Sequence, residues 1–305
     1  VTFLLFFEKI KVDYLFMLHR AFALEKLIFK ACKLSGITSV SFDWSLGYPV
    51  NNMFKKEISL MTRPDIYLVT SYLRQYHYEK ANLDFLHAGG KLKIINCHCL
   101  QVEYARLKSK ELCIKNKQNK DNLKNKLIIS IFDNLYGENA GLQNKTALKF
   151  ANILGYFKTQ INSTLHSKDG IKNMEIALKQ ENINYYRSIK GDFSMAYKSN
   201  IIVSIGFQGS AIKAAFSFKK PLIFFSPEKD YFKDIYFLKD PLKNKKLISI
   251  FRKLTYTDYE LYDLLSSEKE RQLKIKNLKK LSKEFLELIG IVENMQFFLS
   301  YLKTI

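Results

Sequence analysis

The sequence predicts an α/β protein with two Rossmann-like domains and a helical C-terminal tail. Short apolar runs rich in β-branched and aromatic residues alternate with amphipathic segments, which is typical of parallel sheets covered by helices. A stretch dense in Lys and Asn interrupts this alternation once, and the C-terminal third reads as basic helix. These observations predict a first domain over residues 1–112, a linker over 113–126 and a second domain with the tail over 127–305.

The elements of the first domain follow in order. A three- and four-residue apolar spacing predicts a helix over 19–34, which Ser35-Gly36 ends. A run of β-branched and aromatic residues over 37–44 predicts a strand, and 65–71 predicts another. The same reasoning predicts a helix over 71–90, closed by two glycines, and a further strand over 91–100.

The second domain repeats the alternation after the linker. Strands are predicted where the chain is apolar and β-branched, and helices where apolar residues recur at helical spacing. The predicted strands cover 127–134, 163–170, 182–189, 201–206 and 221–227, and the predicted helices cover 142–161, 171–182, 192–199 and 211–218. Helical and heptad-like spacing continues to the C-terminus, which predicts a helical tail packed across both domains.

Composition limits the class of protein. At 305 residues and 47% hydrophobic content, the chain can build a core in each of two domains. The net charge of +20 predicts attraction to anions such as nucleic acid, lipid headgroups or a phosphate-bearing substrate. Lysines that merely solvate helix surfaces explain the same excess, and that alternative stays open.

The sequence also gives expectations for cellular location and for metal binding. No apolar stretch approaches the ~20 residues of a membrane span, and the N-terminus lacks a signal-peptide pattern, which favours the cytoplasm. Four scattered cysteines agree with a reducing compartment. Cys97-His98-Cys99 has no second ligand pair at zinc spacing, so buried thiols at a strand end are predicted instead.

The turn that follows the strand at 201–206 is the strongest candidate for a ligand site. Gly206 and Gly209 allow a tight bend and a close approach of the backbone to a ligand. Ser210 is predicted to cap the next helix, whose N–H groups and dipole would favour a phosphate. A βα turn that binds nothing uses the same residues, so the turn alone leaves both interpretations open.

Residues 200–228 resemble the nucleotide-sugar-binding region of GT-B glycosyltransferases, especially bacterial enzymes of surface-polysaccharide assembly. Segments 127–134, 163–170 and 36–47 resemble other parts of the same family. No single motif is specific, but their order along the chain matches. The residues that carry the resemblance at 200–228 are Ser204, Gly206, Ser210, Ala214, Ala215, Lys220 and Pro221.

Three positions depart from the family pattern. Lys213 stands where these enzymes commonly have an acidic residue for the donor ribose, and a lysine cannot accept hydrogen bonds from a diol. His166-Ser167 replaces a frequent His-Pro, and Asp43-Trp44 stands where histidine is common. An altered donor site and a weakly active relative are the two interpretations.

The resemblance implies a glycosyltransferase that moves a sugar from a nucleotide-sugar donor to a cell-surface polysaccharide or lipid-linked acceptor. Residues 1–112 would form the acceptor domain and 127–305 the donor domain. Asp43 is the candidate catalytic base, and an aspartate that caps a turn is the alternative interpretation. The predicted donor-binding residues are His166, Lys168, Ser204, Gly206, Gly209, Ser210, Ala211 and Lys213. No metal and no cofactor is implied, because no strand end carries Asp-x-Asp.

Further expectations concern partners and completeness. The basic surface predicts peripheral contact with the anionic inner face of the membrane, where lipid-linked acceptors lie. The segment that precedes residue 37 is short for such a domain, so we expect the chain to be truncated at its N-terminus. Two alternatives stay open: a nucleotide-sugar epimerase of the same fold, and a non-catalytic basic α/β protein that binds nucleic acid. The chain shows no nucleic-acid-binding motif, so no nucleic-acid partner is expected.

Overall fold

A computed structural model describes the fold of the chain in two compact units. Unit 1 comprises Val1–Cys99 with Ile289–Ile305, and unit 2 comprises Leu100–Leu288. The residues that the structure describes are 6–7, 9–10, 12–17, 23–43, 64–76, 93–115, 126–133, 140–167, 173–188, 193–227 and 245–291.

Unit 1 contains a four-stranded parallel sheet in the order β1-β2-β3-β4. One face of this sheet packs into a core that includes Val40, Leu68 and Ile95. Because all pairings are parallel, the carboxyl ends of the strands meet at one edge. The strands are β1 Tyr14–Met17, β2 Thr38–Asp43, β3 Ile66–Val69 and β4 Lys93–Asn96.

Helix α1, Ala23–Leu34, packs against β2. It ends where the sequence predicts, because Gly36 adopts a left-handed φ of 69° and the N–H of Ile37 donates to the carbonyl of Cys32 at 2.9 Å. Burial, with a smaller effect of Asp65, raises the pKa of the Cys32 thiol to about 11. All four cysteines are reduced thiols, and Cys97 and Cys99 are buried after β4, as predicted.

The end of the described chain returns to unit 1. The N–H of Tyr72 donates to the carbonyl of Gly290 at 2.9 Å, and Ser71 and Ile291 form an antiparallel bridge. Gly290 has a φ of +65°, and a Cβ there would lie 2.9 Å from Cδ2 of Tyr72. Only glycine therefore fits this position without a shift of the ring.

Unit 2 contains a six-stranded parallel sheet in the order β10-β9-β8-β5-β6-β7. The chain builds β5, β6 and β7 outward in one direction, then returns to the other side of β5 for β8, β9 and β10. The order therefore reverses between β5 and β8. The strands are β5 Leu127–Asp133, β6 Ile161–Ser167, β7 Tyr185–Arg187, β8 Ile201–Ile205, β9 Leu222–Phe225 and β10 Thr255–Tyr256.

Helices cover this sheet, and aromatic residues fill much of the core. The rings of Phe224 and Phe251 lie 4.8 Å apart between centroids, and Phe285 packs against both. The helices are α2 Leu100–Lys115, α3 Ala140–Tyr156, α4 Asn173–Gln180, α5 Gly209–Phe218, α6 Lys245–Leu254, α7 Asp258–Ser266 and α8 Glu268–Ile289, with a 3₁₀ helix at Ser194–Lys198.

The position of α2 differs from the sequence-based boundary. The compact units divide at Cys99 and Leu100, before α2, whereas the sequence placed the division at 112 and a linker over 113–126. Helix α2 belongs to unit 2 because it packs against α5. Nε of Arg106 donates to the carbonyl of Ser217 at 3.1 Å, and its guanidinium lies 5.7 Å from the Phe216 ring centroid. Residues 116–125 of the predicted linker lie outside the described residues.

Smaller differences concern short elements. Strands β1 and β10 were missed, since four and two residues carry little periodicity. The helix predicted over 192–199 is the short 3₁₀ helix. Within the described residues 245–291 the tail is mainly helical, and its helices α6, α7 and α8 belong to unit 2 up to Leu288. Within the described ranges, no helix combines the length and the apolar character that a membrane span requires.

Candidate functional site

The candidate site lies at the carboxyl edge of the unit 2 sheet, where the strand order reverses. Asp133, the last residue of β5, is in register with Ile205 of β8 and with Ser167 of β6. The strands that follow β5 and β8 in the chain, β6 and β9, lie on opposite sides of this pair, which is where an open sheet is expected to form a crevice. Open α/β sheets bind ligands in such crevices.

Ser204 organises the turn that leaves β8. Its buried hydroxyl donates to the carbonyl of Gly206 at 2.7 Å and accepts from the N–H of Gln208 at 3.1 Å. Gly206 has a φ of +74°, a conformation that L side chains rarely adopt. The glycine and the serine together turn the chain from the strand into α5 within three residues.

The start of α5 corrects one prediction. Gln208 is the N-cap, and Ser210 is the second residue of the helix, so the predicted capping role of Ser210 is wrong. The hydroxyl oxygen of Ser210 is nevertheless buried and has no hydrogen-bond partner. The N–H groups of Gly209, Ser210 and Ala211 have no acceptor within the helix, because they belong to its first turn. Three N–H groups and one hydroxyl therefore lie at this terminus.

Lys213 lies one turn further along α5 and is buried. Its Nζ donates to Oε1 of Gln101 on α2, and its carbonyl accepts from the hydroxyl of Ser217 at 2.7 Å. The ammonium group thus takes part in the packing of α2 against α5. Its predicted contact with a donor diphosphate stays a prediction.

His166 and Ser204 lie in one row across three strands. Phe132 of β5 is in register with His166 on one side and with Ser204 on the other. The buried imidazole stacks on the Phe132 ring, with centroids 4.3 Å apart and planes 8° from parallel. The structure therefore places both predicted residues on the same face of the sheet, close to its carboxyl edge.

Asp133 is a residue that the site prediction missed. It is only 2% exposed, and it ends β5 directly beside the reversal of strand order. An acidic residue at the end of a buried strand is a recognisable signal, but the motif order directed attention to the β8 turn. A carboxylate at this position can accept hydrogen bonds from sugar or ribose hydroxyls.

Two of the predicted residues do not belong to the described part of unit 2. Lys168 lies outside the described residues. Asp43 is the last residue of β2 in unit 1, in register with Val69 of β3. Its backbone therefore lies at the carboxyl edge of the unit 1 sheet, as expected for a residue at the end of a strand.

A second polar group, also missed from sequence, lies after β3 and β4 in unit 1. Nδ2 of Asn96 donates to Oε1 of Gln75, while Oδ1 of Asn96 and the hydroxyl of Thr70 are buried without a partner. Arg74 is 3% exposed, and its backbone N–H donates to the hydroxyl of Ser71 at 3.1 Å. Buried polar atoms at the carboxyl edge of a parallel sheet are suited to hydroxyl-bearing or anionic ligands.

Metal ligands do not cluster in the part of the chain that the structure describes: no group of three His, Cys, Asp or Glu side chains there could hold an ion. The expectation of a reaction without metal or cofactor stays a prediction.

Comparisons with known proteins identify the fold. No family model and no curated protein matches the chain. Among solved structures, S. aureus MnaA in complex with UDP is 14% identical with a TM-score of 0.60, over 99% of this chain and 77% of that one. The UDP-GlcNAc 2-epimerase of Neisseria meningitidis, bound to UDP-GlcNAc, is 14% identical with a TM-score of 0.60, over 99% and 79%.

A third similar structure is the α,α-trehalose 6-phosphate synthase of Burkholderia multivorans, at 9% identity and a TM-score of 0.54, over 96% of this chain and 70% of that one. Identities this low establish the fold alone. The two parallel-sheet units and the C-terminal helices match these proteins over nearly the whole chain. The chain therefore has the GT-B fold, which confirms the architecture predicted from its sequence.

Proposed function

We propose that the chain binds a nucleotide sugar at the carboxyl edge of the unit 2 sheet and transfers the sugar to a cell-surface glycan or lipid-linked acceptor. One observation carries the proposal: the Ser204 turn opens α5 directly beside the reversal of strand order. Two similar structures of this fold hold UDP or UDP-GlcNAc, which supports a ligand of the same class.

The proposed diphosphate site consists of groups that favour negative charge. The N–H groups of Gly209, Ser210 and Ala211 lie at the N-terminus of α5, which is the positive end of the helix dipole. The unpartnered hydroxyl of Ser210 can add a donor. In this proposal the imidazole of His166 donates a hydrogen bond to the diphosphate, and the ammonium groups of Lys168 and Lys213 contribute positive charge as it leaves.

The transfer then requires a base and an acceptor site. The acceptor hydroxyl oxygen attacks the anomeric carbon, the bond from that carbon to the diphosphate oxygen breaks, and the diphosphate keeps the electron pair. Asp43 takes the hydroxyl proton in this proposal. The polar atoms of Thr70 and Asn96 at the carboxyl edge of the unit 1 sheet are proposed to hold acceptor hydroxyls. An anionic membrane surface is a further proposed partner, since lipid-linked acceptors lie there.

Epimerisation of a nucleotide sugar is the second candidate, and Asp133 favours it. The donor-binding residues predicted from the sequence include no carboxylate, which disfavours an epimerase. Asp133 supplies a buried carboxylate at that edge, and a similar structure is a 2-epimerase. Inversion at a sugar carbon needs groups that remove and return a proton, a role that carboxylates can fill.

A thermal-shift panel tests the binding step. UDP, GDP, CDP, CMP and ADP, with their common sugar conjugates, are added to the wild type, to Ser210→Trp and to Ser249→Trp on the exposed side of α6. A bound nucleotide at 100 times its dissociation constant adds ~2.7 kcal/mol to stability. We expect one base to stabilise the wild type and Ser249→Trp but not Ser210→Trp. Stabilisation by no member of the panel would overturn the proposal.

Product analysis separates the two reactions. The nucleotide sugar that binds is incubated with the protein, with and without a mixture of lipid-linked and soluble glycan acceptors, and followed by NMR. Release of nucleotide that depends on an acceptor supports transfer. Appearance of the epimeric nucleotide sugar without an acceptor assigns the epimerase reaction instead.

A further inference from the structure

Exposed lysines are concentrated on α6 and on the C-terminal half of α8 in unit 2. On α6, the buried residues Leu247, Ile250, Phe251 and Leu254 leave a basic stripe on the opposite side. On α8, lysines at positions 276, 279, 280 and 283 recur at helical spacing and are exposed. We refer to Lys246, Lys253, Lys276, Lys279, Lys280 and Lys283 together as the basic face.

The two stripes form one surface, because α6 and α8 are joined by an ion pair. Nζ of Lys246 lies 2.7 Å from Oε1 of Glu284. The hydrogen bond with Lys246 lowers the pKa of Glu284, and the charges of Lys280 and Lys253 lower it further. One carboxylate therefore lies within electrostatic range of three ammonium groups from two helices.

Cations also crowd one another at the edge of this surface. Burial, and then the charge of Lys279, lowers the pKa of Lys220, which precedes β9. The hydroxyl of Ser282 accepts from the N–H of Leu222 at 2.8 Å, so α8 is fixed against the beginning of β9. Like charges that are held near each other on a rigid element raise the local positive potential.

The N-terminal half of α8 is different. There Lys274 pairs with Asp263 at 2.9 Å and with Glu270 at 3.3 Å, so positive and negative charges alternate. Over 276–289 the acids are Glu284 and Glu287, both close to lysines of the basic face. Solvation of a helix requires no such segregation, whereas a charged partner would favour it.

We propose that the basic face docks the protein on a bilayer that contains anionic lipids. Two helices side by side present lysines over a broad area, which suits a charged plane. Leu273, 62% exposed, lies on the same helical stripe as Lys276 and Lys280 and can enter the interfacial region. The exposed positions of α6 and of 276–289 carry no aromatic ring on which nucleic-acid bases could stack.

The proposal is independent of catalysis, although the proposed lipid-linked acceptor gives the docking its purpose. Both helices belong to unit 2, as does the Ser204 turn. Docking through the basic face would therefore bring the proposed donor site to the membrane as part of the same compact unit.

A matched pair of triple variants tests the docking. Lys276→Gln, Lys280→Gln and Lys283→Gln are combined in one protein. The control protein combines Lys149→Gln in α3, Lys158→Gln just after α3 and Lys179→Gln in α4. It loses the same charge from other parts of unit 2. Binding is measured at low and high salt to phosphatidylcholine vesicles, alone or with about one-third phosphatidylglycerol. We expect the first variant to lose roughly 100-fold in affinity for the anionic vesicles and the second less than about threefold.

Three outcomes would overturn the proposal. The wild type does not bind anionic vesicles, or both triple variants lose the same affinity for them. In the third outcome, a single-stranded oligonucleotide releases the protein from the vesicles at a concentration below that of the lipid. The last outcome assigns the face to nucleic acid. The nucleotide panel, run on the same variants, should be unchanged. Docking without nucleotide binding would contradict the proposed function alone, and nucleotide binding without docking would contradict the basic face alone.

Discussion

The hydroxyl of Ser204 lies 3.1 Å from the backbone nitrogen of Gln208 and accepts its hydrogen bond. The same hydroxyl donates to the carbonyl of Gly206, so one buried oxygen ties the end of β8 to the residue that caps α5. The geometry of the helix terminus therefore depends on a side chain within the strand.

Ser204→Ala should weaken both the fold and the ligand site. Loss of the hydroxyl leaves a buried N–H without its acceptor, which costs about 1–3 kcal/mol. Ser217→Ala is the control, because its hydroxyl donates to a carbonyl of the same helix and its loss should cost less than about 1 kcal/mol. Urea denaturation measures the stabilities. Only Ser204→Ala should also reduce the thermal shift caused by the nucleotide; an equal effect of both variants would contradict the role of the turn.

Gly206→Ala should destabilise the protein by about 1–2 kcal/mol, because a left-handed φ is costly for alanine. Gly155→Ala in α3 is the contrast, since alanine is favoured within a helix by about 1 kcal/mol. A Cβ there would meet Oε2 of Glu181 at 2.9 Å, the far end of a side chain that can rotate away. Chemical denaturation should show opposite signs for the two variants, and a loss of similar size in both would refute this prediction.

Substitutions of Lys213 and of its partner Gln101 should destabilise the protein by different amounts. Gln101→Leu removes an acceptor from a buried ammonium group and should cost about 1–3 kcal/mol. Lys213→Met replaces the charge by an apolar chain of similar length and should cost less, because no charge is then buried and the half-buried Gln101 can hydrogen-bond to water. Denaturation curves of both variants and of the double variant give the coupling energy. The prediction is wrong if Lys213→Met is the more destabilising change.

Stability at alkaline pH should depend on Tyr256. Burial, with a smaller contribution from Glu260, raises the pKa of Tyr256 from about 10 to about 12. The unfolded chain therefore loses this proton before the folded protein does, and the associated stability is complete below about pH 10 and lost as the pH rises to about 12. After allowance for partial exposure, we expect a loss of roughly 1–2 kcal/mol. Tyr256→Phe should remove that part of the pH dependence. If the stability of the wild type and of the variant falls in parallel between pH 10 and pH 12, the prediction is wrong.

Strand positions were the most predictable feature of the fold. Apolar runs such as 127–133 and 201–205 are buried on both faces of a parallel sheet, so they stand out in the sequence as continuous segments. The order of elements in unit 2 then located the reversal of strand order close to Ser204. The interior strands of this sheet could therefore be predicted from the sequence.

The hydrogen bonds of the candidate site could not be predicted from the sequence. Ser210 was expected to cap α5, but the hydrogen bonds of Ser204 fix the helix start two residues earlier, and a side chain inside the strand decides this. The hydrogen bond of Lys213 to Gln101 was not predicted, because the two residues are 112 positions apart in the sequence. The single-sequence pattern of α2 gave no warning, because the apolar side chains of Leu100, Tyr104 and Leu107 are exposed while Val102 and Ala105 are buried, so no single apolar stripe marks the buried side.

The contact of Gly290 with Tyr72 bears on the order in which the protein folds during synthesis. Unit 1 contains residues 1–99, which precede unit 2 in the chain, yet it also includes Gly290 and Ile291. Domains made of one continuous stretch can fold as soon as that stretch has emerged. Unit 2 is continuous and can mature during translation, whereas unit 1, started first, is completed only when residues 289–291 have been released.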